Sequence, residues 1–153
     1  MPRIFVMIGL MLSLFLGSCV ARPLAPGFAW SYQHNAGEGP KLAYGAPASD
    51  DVLLMMTCRP GSPSVLVSVR SGSPRETVIL ASGVARQPLQ TLLGASSGMD
   101  QMAESAARRD SPTLVRFART GALSVVDGSR VIAIDATPME QASVTRFFQA
   151  CSA

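Results

Sequence analysis

Turn-forming residues cut this chain into short apolar runs, and that punctuation constrains the fold more than any other feature. From Phe28 onward, clusters of Gly, Pro, Asp and Ser separate stretches too short for helices, as strands joined by tight turns require. Phe28–Gln33 holds the single Trp of the chain. Lys41–Gly45 is a short extended candidate between Gly and Pro signals. Val52–Cys58 is almost wholly apolar and reads as a buried strand. Val65–Arg70 alternates, with Val65, Val67 and Val69 on one face. Arg75–Ser82 sets Thr77, Ile79 and Ala81 opposite Val78 and Leu80, and Ser71-Gly72-Ser73-Pro74 reads as the hairpin joining these two strands. Leu123–Val126 and Arg130–Ile134 flank Asp127-Gly128, whose tolerance of positive φ fits a type I′ hairpin turn.

Two helices interrupt the strands. Ser111 can cap the first and Pro112 suits its opening turn, while Gly121 gives its exit after Thr120. Leu114, Phe117 and Ala118 share its inner face, leaving Arg116 and Arg119 outward. Thr137-Pro138-Met139-Glu140 is a capping box for the second. Val144, Phe147, Phe148 and Cys151 then form one apolar stripe at helical spacing. Over Gly94–Asp110 the spacing of Met99, Met102, Ala103 and Ala106 predicts a weak helix after a loop, with the Met pair filling core. The expected fold is mainly β: a small antiparallel β-sandwich or half-barrel with one or two short helices, including a C-terminal helix.

The amino-terminal segment is organised differently. Met1-Pro2-Arg3 is a short positive start, and Ile4–Leu16 is apolar but shorter than the ~20 residues a membrane-spanning helix needs. Gly17 and Ser18 are small, and Cys19 supplies a thiol. Leu16-Gly17-Ser18-Cys19 resembles the lipobox of bacterial lipoproteins. That resemblance implies a signal peptide over 1–18, removal of the leader before Cys19, and attachment of palmitate-type acyl chains to Cys19. Val20 follows instead of an inner-membrane-retaining Asp, which by the same resemblance implies the outer membrane, facing the periplasm. The alternatives are ordinary cleavage after Ala21, giving a secreted soluble protein, and an uncleaved anchor. Residues 19–27 would be the lipid-attachment Cys and a Pro-rich tether, with a single β-rich domain over 28–153.

Three cysteines are an odd number, and lipidation or removal of Cys19 leaves Cys58 and Cys151 as an even pair. In an oxidising compartment a Cys58–Cys151 bridge would close most of the mature chain into one loop. In the chain-entropy model that is worth roughly 4 to 5 kcal/mol. The alternative is two buried free thiols. Cys151 lies on the apolar stripe of the last helix and Cys58 ends a buried strand, so a bridge would staple helix to sheet.

Chemistry is sparse. The only His, His34, sits in the polar stretch Gln33–Gly39, and no Ser has a nucleophile-elbow setting, so a Ser-His-Asp triad is not indicated. Gly37-x-Gly39 lacks the further Gly and the helix of a nucleotide loop. Asp50 and Asp51 are adjacent, so in an extended chain their carboxylates diverge; they read as the turn before Val52. Two Cys and one distant His34 lack the number and spacing of a metal site. No catalytic residue, cofactor or metal is expected. Of the thirteen basic residues, the twelve that remain without Arg3 come close to balancing ten acidic ones, which is no nucleic-acid signature. Arg108, Arg109, Arg116 and Arg119 cluster in sequence; the patch reads first as a solvated face with Asp110 as partner, and second as a surface for anionic envelope material.

Leu42-Ala43-Tyr44-Gly45-x-Pro47-x-Ser49-Asp50, Arg116-Phe117 through Gly121-x-Leu123-x-Val125, and Arg146-Phe147-Phe148-x-x-Cys151 together resemble small exported bacterial proteins that carry no assigned activity. The resemblance implies no catalytic residue. The expected role is a membrane-anchored, non-catalytic binding or structural module whose partners are envelope proteins or cell-wall polymer. The alternative is a secreted inhibitor that inserts a protruding segment, such as Ser31–Gly39, into the cleft of another enzyme.

Overall fold

The computed structural model describes residues 27–35, 37–71, 77–89 and 102–153, so the leader and Cys19 lie outside the described residues. In chain order the elements are β1 (Ala29–Asn35), β2 (Gly39–Gly45), β3 (Val52–Cys58), β4 (Ser64–Arg70), β5 (Val78–Ser82), β6 (Ala85–Leu89) and β7 (Met102–Arg108). They continue with α1 (Pro112–Thr120), β8 (Ser124–Asp127), β9 (Arg130–Ala133) and α2 (Gln141–Ser152). The protein is mainly β, with two antiparallel sheets and no closed barrel. One sheet has the order β1-β2-β3-β4-β7 and the other β6-β5-β8-β9.

Period-two alternation decides which face of each sheet is buried. Register places Trp30, Tyr44, Leu54, Val69 and Ala103 in one row across the first sheet, and Tyr32, Leu42, Met56, Val67 and Ser105 in the next. In the second sheet Leu80 pairs with Val125, which pairs with Ile132. These inward rows join Leu114 and Phe117 of α1 and Val144, Phe147 and Cys151 of α2 in a single core. Each fully buried aliphatic or Phe side chain contributes about 1.5–3 kcal/mol. α1 packs on β5 and β6, α2 on β1 and β2, and the helices touch each other. At that junction the Trp30 ring lies 5.0 Å from Phe117 and 5.3 Å from Tyr44, centroid to centroid. Its indole N–H donates to the Ile134 carbonyl at 2.7 Å, which satisfies its one buried polar atom.

Both helix starts follow from their sequence. Ser111 accepts a side-chain hydrogen bond from the Leu114 amide and Pro112 opens α1. Ahead of α2, the Thr137 amide donates to Glu140 Oε2 at 2.7 Å and the Glu140 amide donates to Thr137 Oγ1 at 3.3 Å, the reciprocal pair of a capping box. Cys58 and Cys151 are joined by a disulfide, with Cα atoms 5.8 Å apart, so α2 is bonded to the end of β3.

Several expectations need correction. Ser71–Pro74 does not join a hairpin: β4 and β5 belong to different sheets, because the free edge of β4 is taken by β7. The weak helix expected within Gly94–Asp110 is instead strand β7 over its described part, while Met99 lies outside the described residues. There Ala103, Ser105 and Ala107 point inward and Ala106 and Arg108 outward, a period of two that the helix-favouring alanines masked. Strand β6 was not anticipated. The turn expected at Asp127-Gly128 falls one residue later, at Gly128-Ser129, because Asp127 pairs with Arg130 within the ladder.

Candidate functional site

The outer face of the five-stranded sheet carries a concavity. Its floor comes from alternate residues of β1, β2 and β3: Ser31 and Gln33, Lys41 and Ala43, then Met55. A loop over residues 46–51 stands beside this floor and divides it. One hollow of about 440 Å³ is lined by Ala29, Ser31 and the loop. The other, about 470 Å³, reaches Lys41, Met55, Arg70 and Met102. Gln33, Ala43, Ser49, Asp50 and Val52 line both.

The wall is built by local chemistry. The Ala46 amide donates to the Asp51 carbonyl at 2.9 Å and the Val52 amide to the Asp50 carbonyl at 3.0 Å. Ser49 Oγ accepts from the Asp51 amide at 3.1 Å and donates to the Ala46 carbonyl at 3.2 Å. The loop leaves β2 at a bulge after Tyr44, where a Cβ on Gly45 would sit 2.5 Å from the Asp51 carbonyl oxygen. Only glycine fits that approach. Ala48 holds φ +54°, a left-handed conformation that costs a non-glycine residue about 1–2 kcal/mol. Asp51 Oδ1 pairs with an Arg70 guanidinium nitrogen at 2.5 Å, which fixes the loop to β4.

Charges in the concavity are of both signs. A hydrogen bond from Asn35, together with the Lys41 ammonium 3.4 Å away, holds the Glu38 carboxyl below its usual pKa. Arg70 Nε is buried without a hydrogen-bond partner among the described residues. The surface therefore combines small and apolar floor residues with an ammonium, a guanidinium and the Asp50 carboxylate, which suits reversible polar recognition.

The residues singled out in the sequence are scattered. Cys58 and Cys151 come together, whereas Cys19 lies outside the described residues. His34 is an exposed residue of β1 instead of a loop residue, opposite Pro40. Asp50 and Asp51 do terminate the turn before β3. The arginine cluster is divided: Arg108 pairs with Asp110 at 2.6 Å, and Arg109 donates to the Cys151 carbonyl. Arg116 lies against Gly83. Among the described residues no group of three His, Cys, Asp or Glu side chains is placed to hold a metal, and no helix is long and apolar enough to cross a membrane.

Two polar contacts were missed in the sequence. Ser71 Oγ lies 3.3 Å from Asp127 Oδ1, both residues buried, and this links the end of β4 to the other sheet. Asp127 read as a turn residue because Asp-Gly is so strong a turn signal. The other is Glu140, whose Oε1 accepts from the Trp30 amide at 2.9 Å. No sequence signal joins residues so far apart. No family model matches the chain, and no curated protein or solved structure matches it.

Proposed function

We propose that the protein is an exported, lipid-anchored module of a bacterial envelope that acts by non-catalytic binding. The observation that carries this reading is the allocation of its thiols. One disulfide uses Cys58 and Cys151, so of three cysteines only Cys19 is left for another role. Cys19 directly follows an apolar leader and two small residues, where lipid attachment would take place. Two or three acyl chains there would give stable anchoring, whereas one alone is marginal.

Binding is favoured by how the fold uses the carboxylates among the described residues. Asp51, Asp110 and Glu38 pair with cations, Asp127 with Ser71, and Glu104 accepts from Ser68. Asp135 accepts from the Leu123 amide, and Glu140 from Thr137 and Trp30. These contacts serve structure, and the outer sheet face, with its Lys41–Glu38 and Arg70–Asp51 pairs and the Asp50 carboxylate, is the surface for an envelope protein or a cell-wall polymer bearing both signs of charge.

The deciding experiment is the intact mass and amino-terminal peptide of unreduced protein purified from its own membranes. The expected result is acylated Cys19, an oxidised Cys58–Cys151 pair, and release into the soluble fraction by Cys19→Ser. A free terminus at Arg22 in the soluble fraction would overturn the anchor. It would advance the second reading, a secreted inhibitor, which the β1–β2 hairpin favours because it presents exposed Gln33, His34 and Asn35 on paired strands.

A further inference from the structure

Among the described residues four strands lie at sheet edges: β1 and β7 in one sheet, β6 and β9 in the other. An edge presents unpaired amides and carbonyls, and proteins blunt it with proline, charge or brevity. β6 carries Pro88 and Arg86, and β7 carries Glu104 and Arg108. β9 is four residues long and opens with Arg130. β1 differs. It runs for seven residues, Ala29 to Asn35, with no proline and no Asp, Glu, Lys or Arg.

Its one guard sits near its start. The Trp30 amide points away from β2 and is taken by Glu140. Backbone directions alternate along a strand, so the amides of Tyr32 and His34 point to the same open side. Among the described residues neither has a hydrogen-bond partner there.

We infer that β1 pairs antiparallel with β1 of a second copy of this chain, about a two-fold axis at Gln33, joining the two five-stranded sheets edge to edge. The free amides dictate the register. With Trp30 held by Glu140, only Tyr32 and His34 remain, and setting Tyr32 opposite His34 of the second copy satisfies both, twice by symmetry. An axis at Tyr32 would instead require the amide that Glu140 already holds.

The side chains favour a copy over a foreign strand. On the outer face this register sets Gln33 against Gln33 and Ser31 against Asn35; all three are exposed and neutral, and each can both donate and accept. On the other face Tyr32 meets His34, an aromatic cross-strand pair. A strand without charge meets its own copy without like-charge repulsion. The contact is small, so the dimer forms weakly and its population depends on concentration. The inference does not depend on lipid at Cys19.

The test uses the oxidised mature chain carrying Cys19→Ser. At the axis the facing Cα atoms of a non-hydrogen-bonded pair stand about 4.5 Å apart. Gln33→Cys is therefore expected to form a disulfide-linked dimer on non-reducing gels, while Val84→Cys, at a position 96% exposed on the β5–β6 turn, stays monomeric. In sedimentation the protein with Gln33 intact is expected to dimerise with concentration. Gln33→Lys, which sets two ammonium groups at the axis, should weaken that by about twofold to fivefold without changing the melting temperature. A protein that sediments as a monomer from micromolar to millimolar concentration overturns the inference. So does a dimer indifferent to Gln33→Lys, or a β1 edge found occupied by a different polypeptide.

Discussion

Glu140 joins two elements through its one carboxylate. It closes the capping box with Thr137 and also accepts from the Trp30 amide, so one carboxylate holds the start of α2 and the first strand together. Burial alone would raise its pKa, but the hydrogen bonds from Thr137 and Trp30 outweigh it and the value is lowered. A lowered folded-state pKa contributes stability above the unfolded carboxyl range, and that contribution is lost as pH falls through the folded value. Glu140→Gln is expected to cost about 1–3 kcal/mol near pH 7. In urea titrations the gap between variant and parent should narrow as the pH drops below the usual carboxyl range; a gap constant with pH would refute the charge assignment. Thr137 and Glu140 announce the cap in the sequence because their bond is local. Trp30 does not, since only the packing of β1 beside α2 brings it there.

The elements that sequence reading placed well are those whose signals are local. Ser111, Pro112 and Gly121 bracket α1 because capping is settled within a turn of the helix. Gly121 also shows how such a residue serves tertiary structure. It holds φ +71°, its amide returns to the Phe117 carbonyl at 2.8 Å, and a Cβ on it would lie 2.3 Å from Gln141 Oε1 at the start of α2. Gly121→Ala should therefore cost more than about 1 kcal/mol. Adding Gln141→Ala should recover only the steric share in a thermal melt, leaving the backbone strain; full recovery would mean that the positive φ costs nothing. Strand partnership was far less legible. β4 and β5 both alternate cleanly, and nothing in either says that β7 will occupy the edge that a hairpin would have used. β7 itself, rich in alanine, has a composition that suits a helix and becomes a strand only because β4 offers it a ladder.

At the scale of the molecule, the fold class and the Cys58–Cys151 pairing were legible because strand punctuation and an even pair of thiols are properties of the whole chain. The outer concavity was not. Its floor needs the pairing register of three successive strands, its rim takes Arg70 and Met102 from further along the chain, and its wall depends on the bulge at Gly45 and the Asp51–Arg70 pair. The disulfide also sets how far the protein can be stretched. Tension applied between the amino-terminal side of β1 and Ala153 would unravel the chain only as far as Cys58. It would then pass through the two sulfur atoms to Cys151, bypassing the loop between residues 93 positions apart. The oxidised chain should yield roughly 100 Å of slack and the reduced chain roughly 400 Å, a difference that single-molecule pulling reads as contour length. Equal extensions with and without reductant would rule this out. Held at both ends, such a molecule would give a little and then hold, a strain limiter built from one bond.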